Sequence, residues 1–265
     1  MGKFKKAFLV HREVSDIATR SALKEIERML RAKKISCKKK PASILLKEDL
    51  PASALIIIVG TDGTFIRTCK HVTNQPVICI GLESHVGACT LSDFSILELP
   101  KLQSIIEGNY SEKVRQRIEV SVNGFPLEEP VLNEVFFGSE KAYKLAEYEI
   151  QFGDKRELQK SSGVLIATGT GSTSWFASAG GKPFGCELNE ARFLVREPHR
   201  WVVSQKPAIT AGKILDGAAV KFELVAKREE MILVLDSTSP RYLTKGDKIT
   251  IALSKSPLHI ICPKV

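Results

Sequence analysis

The run from Ala54 to Val59 constrains the fold most, because six apolar residues follow one another without a polar interruption. Such a run is typical of a strand that is buried on both faces of a parallel sheet. We predict another strand at Ala7 to Val10, a helix from Asp16 to Arg31 with Ser15 as its cap, a helix from Thr64 or Phe65 to about Val72, and a further strand at Pro76 to Ile80. Strands that alternate with helices predict a small parallel sheet with helices on its faces.

The second half of the chain has a different pattern, with short alternating segments from about residue 118 onwards. Asn123-Gly124, which follows a predicted strand at Ile118 to Val122, is a strong signal for a β-hairpin. Further strands are predicted at Val131 to Phe137, Lys144 to Gln151, Gly163 to Ala167, Trp201 to Ser204, Ala219 to Ala226, Met231 to Leu235 and Lys248 to Leu253. This half is predicted to be all-β and mainly antiparallel, in the manner of a β-sandwich.

The change of pattern predicts two domains, and 265 residues with 43% hydrophobic content can bury a core in each. We predict an α/β domain over residues 1–99 and a β-rich domain over residues 114–256, joined near Leu99 to Lys113. The chain end, residues 257–265, is a candidate to return to the first domain.

Charge and cysteine content narrow the range of partners. The formal charge of +9 favours anionic partners. However, the lysine runs at residues 3–6 and 33–40 lack interleaved aromatic residues, so we interpret them as solvated faces and expect no nucleic-acid partner. The six cysteines form no CxxC pair, and we expect no zinc site and no other protein-held metal site.

Targeting signals are also missing from the sequence. No apolar run approaches the roughly 20 residues that a membrane-spanning helix needs, and the basic N-terminus lacks an apolar signal region. We therefore expect no membrane association and a cytoplasmic protein with reduced cysteines.

A glycine loop follows the buried strand and reads Gly60-Thr61-Asp62-Gly63-Thr64. At the carboxyl end of a parallel strand, glycines and a helix N-terminus allow a phosphate to approach backbone N–H groups. Asp62 in such a loop suits a general base for a hydroxyl or part of a magnesium shell. The alternative is that Asp62 and Thr64 only build a turn and cap the helix.

A second loop, Ala167 to Gly181, follows the predicted strand that ends at Ala167 and is rich in small residues and hydroxyls. Small donors can reach a polar ligand without bulky side chains in the way. A flexible linker is the alternative, although Trp175 and Phe176 are poor linker residues. The candidate binding residues of this loop are Thr168, Thr170, Gly171, Ser172, Thr173, Ser174 and Trp175.

The pair Asn133-Glu134 interrupts the apolar run from Val131 to Phe137. Neighbouring residues of a strand point to opposite faces, so a solvent face can explain one of the two but not easily both. A buried amide or carboxylate without a partner costs about 1–3 kcal/mol. A ligand's hydroxyls or an adenine edge could supply those partners.

These three elements together resemble the pattern of the NAD kinase family. That pattern has a GGDGT loop after a buried strand, then an Asn-Glu pair, then a TxTGSTAYxxSAGG stretch. The corresponding segments here are Gly60 to Thr64, Asn133-Glu134 and Thr168 to Gly181. The resemblance extends from about Ala54 to the end of the chain.

The resemblance implies a Rossmann-like N-terminal domain, a C-terminal β-rich domain and an active site between them. It also implies transfer of the γ-phosphoryl of ATP, with Mg²⁺, to the 2′-hydroxyl of the adenosine ribose of NAD. In this interpretation Asp62 is the catalytic base, and the binding residues are Gly60, Thr61, Gly63, Thr64, Asn133, Glu134 and the seven candidates of the second loop. The family's common assembly implies a homodimer or homotetramer.

The sequence also departs from the family pattern. Thr61 replaces the second glycine of the first loop, and Ser162 stands where most members have an aspartate. Gly169 and Trp175 replace the usual proline and tyrosine, and Ser237 follows Asp236 in place of glycine. Two alternatives stay open: a lipid kinase of the same superfamily, which resembles this chain through the same GGDGT loop, and a non-catalytic nucleotide-binding protein, which the departures at Thr61 and Ser162 favour. The sequence also leaves polyphosphate open as the donor.

Overall fold

The computed structural model describes residues 4–13, 17–82, 91–199, 207–225, 230–238 and 240–264. The chain forms two compact units, one of Met1–Val114 with Ser256–Val265 and one of Arg115–Lys255. Within the described residues, no helix combines the length and the apolarity needed to cross a membrane.

The N-terminal unit contains an almost wholly parallel sheet. With strands and helices numbered in chain order, its elements are β1 (Lys6–His11), α1 (Ile17–Ala32), β2 (Ser36–Pro41), β3 (Leu55–Gly60), α2 (Asp62–Cys69), β4 (Val77–Gly81), β5 (Phe94–Ser95), α3 (Pro100–Ile106), β6 (Tyr110–Arg115) and, from the chain end, β19 (Leu258–Pro263). The sheet order is β2-β1-β3-β4-β19-β6, with β5 beside β4. The pairs of β1 with β2 and β3, and of β4 with β3, β5 and β19, are parallel. The prediction of a parallel sheet is confirmed.

Burial explains why the apolar run forms the centre of this sheet. Every residue of β3 and of β4 is buried. Leu23, Ile26 and Leu30 lie on one face of α1, at helical spacing, and pack into the same core as Leu9 and Ile57. The sheet therefore holds the carboxyl end of β3, where the glycine loop begins, in a fixed position.

Three local predictions for this unit need comment. The lysine run includes an edge strand, β2, which was not predicted; Lys39 and Lys40 form ion pairs with Glu27 and Asp49. Lysines on an edge strand discourage pairing with another chain. Helix α2 begins at Asp62, earlier than the expected Thr64 or Phe65. Ser15, the expected cap of α1, lies outside the described residues, as does the predicted strand over residues 201–204 of the other unit.

The C-terminal unit is an antiparallel sandwich. Its elements are β7 (Ile118–Val122), β8 (Phe125–Pro126), β9 (Glu134–Ser139), β10 (Ala146–Phe152), β11 (Lys155–Ser161), β12 (Gly163–Thr168), α4 (Trp175–Ser178), β13 (Ala191–Arg196), β14 (Ala211–Ile214), β15 (Ala219–Leu224), β16 (Met231–Leu235), β17 (Arg241–Leu243) and β18 (Lys248–Leu253). One sheet has the order β11-β10-β15-β18-β7-β8 and the other β14-β13-β12-β9-β16-β17. One core, to which both sheets contribute alternate residues, lies between them.

The hairpin predicted at Asn123-Gly124 is confirmed, since both residues have positive φ (56° and 83°) between the paired strands β7 and β8. Five strands of this unit were not predicted: β8, β11, β13, β14 and β17. Their sequences are charged or short, and β11, β14 and β17 are edge strands with one solvated side.

Candidate active site

The glycine loop of the N-terminal unit leads directly from β3 into α2. Thr61 is the last extended residue, and its N–H donates a hydrogen bond to the Thr64 hydroxyl at 3.3 Å. The backbone carbonyl of Thr64 in turn accepts a hydrogen bond from the Thr68 hydroxyl at 2.8 Å. Thr64 is buried. Its side chain therefore supports the start of the helix from within the protein.

Asp62 is the first residue of α2 and is half-buried. Its Oδ1 accepts a hydrogen bond from the backbone N–H of Leu91 at 3.0 Å. This bond joins Asp62 to a segment 29 residues away, so the carboxylate does more than close a local turn. A carboxylate in the first turn of a helix is also favoured by the helix dipole.

The two glycines of this loop differ in what surrounds them. A Cβ on Gly60 would lie 2.4–2.7 Å from atoms of the Thr64 side chain, so packing excludes any larger residue there. A Cβ on Gly63 would meet only the Thr61 hydroxyl, at an ordinary 3.9 Å, and Gly63 is exposed. Nothing in the described protein requires glycine at 63, and a glycine in a helix costs up to about 1 kcal/mol relative to alanine.

A cavity of about 410 Å³ opens beside Gly63 at the carboxyl edge of the sheet. Thr61 and Thr64 line it together with two cations, Arg12 just after β1 and Arg67 on α2, and with one carboxylate, that of Glu13. The cavity thus combines a helix N-terminus, a glycine without a side chain and two guanidinium groups. This arrangement suits a phosphorylated ligand.

In the C-terminal unit, Asn133 and Glu134 lie at the start of β9, beside the end of β12. Thr168, the last residue of β12, donates its hydroxyl to the carbonyl of Leu132 at 2.5 Å and its N–H to the carbonyl of Asn133 at 2.9 Å. A Cβ on Gly171 would lie 2.3 Å from that same Asn133 carbonyl oxygen. The fold therefore brings the Asn-Glu pair and the beginning of the second loop together, as two parts of one site.

Each side chain of this pair has one buried oxygen atom that lacks a partner among the described residues. Asn133 Oδ1 and Glu134 Oε2 have no hydrogen-bond partner in the described protein. Burial, and then the nearby charge of Asp236, raise the pKa of Glu134 to about 7. A hydrogen bond from the Ser237 hydroxyl acts in the opposite direction. Two buried acceptor atoms in one place are costly unless a ligand supplies donors.

The hydroxyls of the second loop fall into two groups. Thr168 and Ser172 are buried and serve the protein itself: Ser172 donates to the carbonyls of Gly169 and Phe184 and accepts from the Phe184 N–H. Thr170 is buried and accepts a hydrogen bond from Arg115 at 3.4 Å. Thr173 and Ser174 are exposed, at the end of a short 3-10 turn. The exposed pair is therefore the part of the loop that a ligand can reach directly.

Trp175 begins α4 and packs into an aromatic and cationic cluster. Its ring centroid lies 5.1 Å from that of Phe136, and the Arg196 guanidinium lies 5.5 Å from the ring. Sequence reasoning assigned no role to Phe136 or Arg196, nor to Asp236, whose carboxylate accepts hydrogen bonds from the backbone of Leu132 and Asn133. Only the tertiary pairing of β9 with β12 and β16 reveals these neighbours.

Comparison with known proteins identifies the family. The family model for the ATP-NAD kinase C-terminal domain matches residues 107–262, more than half of the chain. The chain is 30% identical over 212 residues to an NAD kinase of Wigglesworthia glossinidia brevipalpis, covering 78% of this chain and 69% of that protein. This chain belongs to the NAD kinase family.

Further NAD kinases agree with that assignment. One from Acidithiobacillus ferrooxidans is 29% identical, over 80% of this chain and 71% of its own. Among solved structures, an NAD kinase from Archaeoglobus fulgidus in complex with ATP has a TM-score of 0.73, with 20% identity, over 96% of this chain and 92% of that chain. Yeast NADH kinase complexed with NADH has a TM-score of 0.79, with 17% identity, over 100% of this chain and 85% of that chain. These two structures share the fold.

Three of the departures from the NAD kinase pattern fit their local surroundings. Thr61 fits as an extended residue whose N–H bonds to Thr64, with an ordinary negative φ of −102°. Gly169, in place of the usual proline, lies against Gly185, whose carbonyl oxygen would be 2.1 Å from a Cβ at 169. Ser162 donates its N–H to the carbonyl of Arg196 at 3.1 Å. None of these residues disturbs the fold around the site.

Proposed function

We propose that this NAD kinase transfers the γ-phosphoryl group of ATP to the 2′-hydroxyl of the adenosine ribose of NAD, forming NADP. The proposed activity rests on membership of the NAD kinase family. The proposed nucleoside subsite rests on the unpartnered acceptor atoms of Asn133 and Glu134. Adenosine offers an exocyclic amine and ribose hydroxyls, which are the donors that such acceptors need.

The proposed roles follow from the glycine loop of the N-terminal unit and from the second loop of the C-terminal unit. Asp62, oriented by the Leu91 N–H, would accept the proton of the 2′-hydroxyl as it attacks. Gly60 shapes the loop, and Thr61, Gly63 and Thr64 with the adjoining cavity would receive phosphates. In the second loop, Thr173 and Ser174 would contact NAD directly, while Thr168, Thr170, Gly171 and Ser172 hold the loop in shape and Trp175 packs beside it.

Magnesium would enter with ATP. Among the described residues there is no group of three or more acidic, cysteine or histidine side chains arranged to hold a metal by themselves. Mg²⁺ characteristically keeps several waters and binds through phosphates and one or two carboxylates. When bound, it would neutralise the charge of the transferring phosphoryl group.

We further propose a cytoplasmic location and a homodimer or homotetramer. The assembly is measured by light scattering on the purified protein. The lipid-kinase alternative is not favoured, since the curated relatives are NAD kinases and the candidate pair presents buried polar acceptors.

The test of the proposed function is product formation by the purified full chain. NAD is incubated with Mg²⁺ and either ATP or inorganic polyphosphate, and NADP is measured by a coupled dehydrogenase. We expect NADP with ATP. NADP formed with polyphosphate but not with ATP would show that polyphosphate is the donor of the same reaction. NAD binding detected by calorimetry, without product from either donor, would favour the non-catalytic alternative.

A further inference from the structure

The turn that follows β16 has an unusual backbone. Asp236 and Ser237 both have positive φ, 46° and 55°, and the Thr238 N–H closes the turn on the carbonyl of Leu235 at 3.0 Å. Two successive residues of this kind are characteristic of a turn that prefers Asp-Gly or Asn-Gly. Serine at the second position is strained where glycine would not be. Strain of this kind persists where a side chain is needed.

Asp236 uses its carboxylate on the backbone of the segment that carries the Asn-Glu pair. Its Oδ2 accepts the N–H of Leu132 at 2.8 Å, and its Oδ1 accepts those of Asn133 and Glu134 at 2.7 and 3.2 Å. The N–H of Asp236 returns a bond to the carbonyl of Glu134 at 3.0 Å. These four bonds hold the start of β9 in one position relative to the turn.

Ser237 contacts the side chain of Glu134, one of the two residues of the pair. Its hydroxyl donates to Glu134 Oε1 at 3.5 Å, which leaves Oε2 as the acceptor without a partner. Glycine at 237 would relax the turn but would provide no hydroxyl. The two residues of the turn therefore act on the two parts of the pair, Asp236 on its backbone and Ser237 on its carboxyl group.

Among the described residues, two elements bring groups that face Glu134. The turn after β16 brings the Asp236 carboxylate, whose charge raises the pKa of Glu134, and the Ser237 hydroxyl, which lowers it. From β12 the residue opposite Glu134 is the apolar Ala167. Changes at 236 and at 237 should therefore move the titration of Glu134 in opposite directions.

We propose that the Asp236–Ser237 turn is a positioning element for the nucleoside-binding pair: Asp236 holds its backbone, and Ser237 orients the Glu134 carboxyl group so that Oε2 can accept a hydrogen bond from a ligand hydroxyl or amine. This inference rests on the proposed NAD kinase function. Neither residue contacts reacting atoms, so both are positioning residues.

The first experiment compares Ser237→Gly with Ser237→Ala in the full-length enzyme. We expect KM for NAD to rise about threefold or more in both variants while kcat stays within about twofold. The limb of kcat/KM that rises with pH should shift upward by roughly half a pH unit, because the bond that favours the charged carboxylate is lost. Ser237→Gly should also raise Tm, since it relaxes the turn, whereas Ser237→Ala should not.

Lys34→Gly is the matched control for relaxed strain. Lys34 also has positive φ, 58°, and follows α1 in the other unit. This variant should raise Tm and leave the pH profile unchanged. A Ser237→Gly enzyme that behaves like Lys34→Gly, with a higher Tm and an unaltered KM and pH profile, would show that the turn is only structural and would overturn the proposal.

The second experiment compares Asp236→Asn with Asp247→Asn. Asp247 also accepts a backbone N–H in a turn, the one between β17 and β18, from Thr244 at 2.7 Å, but it does not contact the pair. We expect Asp236→Asn to raise KM for NAD about tenfold and to shift the rising limb downward, opposite to Ser237→Gly, because a negative charge beside Glu134 is removed. Asp247→Asn should lower Tm and leave both the KM for NAD and the pH profile unchanged. Shifts in the same direction for the two turn variants would contradict the proposal.

Failure of the proposed function would look different. Wild-type enzyme that makes no NADP would refute the kinase assignment. NAD affinity measured by calorimetry across the same pH range would then still test the turn, because the pair's contact with the nucleoside does not depend on turnover. Unchanged affinity in Ser237→Gly and Asp236→Asn at every pH would overturn the inference on its own.

Discussion

Gly63 and Gly171, one from each glycine-bearing loop, serve different purposes, although Gly60 of the first loop is packed about as tightly as Gly171. In the loop after β3, a Cβ on Gly63 would meet nothing closer than 3.9 Å, and the residue borders a cavity. In the loop after β12, a Cβ on Gly171 would lie 2.3 Å from the Asn133 carbonyl oxygen. The first glycine leaves room for a partner outside the chain, whereas the second is required by the chain's own packing.

The hydroxyl groups show the same contrast within the second loop. Thr168 and Ser172 bond to backbone groups of neighbouring segments, so removing either would damage the fold. Thr173 and Ser174 are exposed and free to meet a ligand. A stretch rich in small polar residues can therefore be half scaffold and half binding surface, and composition alone does not separate the two.

The largest expected effect is that of Gly171→Ala, which tests the packing side of the comparison. The added Cβ must displace the backbone of Asn133, and we expect a loss of about 3 kcal/mol of unfolding free energy, as is typical of overpacking against rigid backbone. Urea unfolding measures it. A variant with wild-type stability would show that Gly171 has the spare room that we assign to Gly63 alone.

Glu134→Gln comes next and tests the buried acceptor. The folded state raises the pKa of Glu134 above the ordinary 4.5 to about 7, so the folded protein binds this proton more tightly than the unfolded chain does. Below about pH 4.5 the carboxyl group is protonated in both states, so the stability linked to its proton is fully present. As pH rises from about 4.5 to about 7, the unfolded chain releases the proton first, and the wild-type protein loses that stability. Relative to wild type, Glu134→Gln should gain stability across that window, by roughly 3 kcal/mol at its upper end.

Urea unfolding at pH 4.5 and pH 8 makes this measurement, with Glu119→Gln, at an exposed position of the same unit, as the control. The difference between Glu134→Gln and wild type should be near zero at the lower pH. A difference that does not change between the two pH values would mean that Glu134 titrates normally.

Gly63→Ala has the smallest expected effect on stability and tests the ligand side of the comparison. Alanine fits without a clash and favours helix, so we expect unchanged stability or a gain of up to about 0.5 kcal/mol. KM for ATP should nevertheless rise, because the methyl group occupies the edge of the proposed phosphate cavity. A stable variant with unaltered KM for ATP would remove that cavity from the donor site.

Much of the fold could be predicted from the sequence because its strongest patterns are local. The apolar run of β3, the helical spacing in α1 and the Asn123-Gly124 turn each specify their element without help from the rest of the chain. The edge strands β2 and β11 could not be predicted, since their charged residues pair only because a neighbouring strand offers its hydrogen bonds.

The candidate site was predictable in part for the same reason. Asp62 and the Asn-Glu pair interrupt or follow apolar runs, which makes them visible in the sequence. Asp236 lies more than 100 residues from the backbone groups it binds, and only the pairing of β9 with β16 brings it there. Its role, and that of Ser237, depends on tertiary structure that no local pattern encodes.

The most direct test of the account compares NADP formation by Asp62→Asn and Asp49→Asn. Both aspartates lie in the N-terminal unit and accept a backbone N–H, Asp49 from Leu46 at 2.8 Å, so the control removes an equivalent charge away from the glycine loop. We expect Asp62→Asn to bind NAD normally and to lose turnover by about 100-fold or more, and Asp49→Asn to keep it. Equal turnover in the two variants would contradict the assignment of Asp62 as the base.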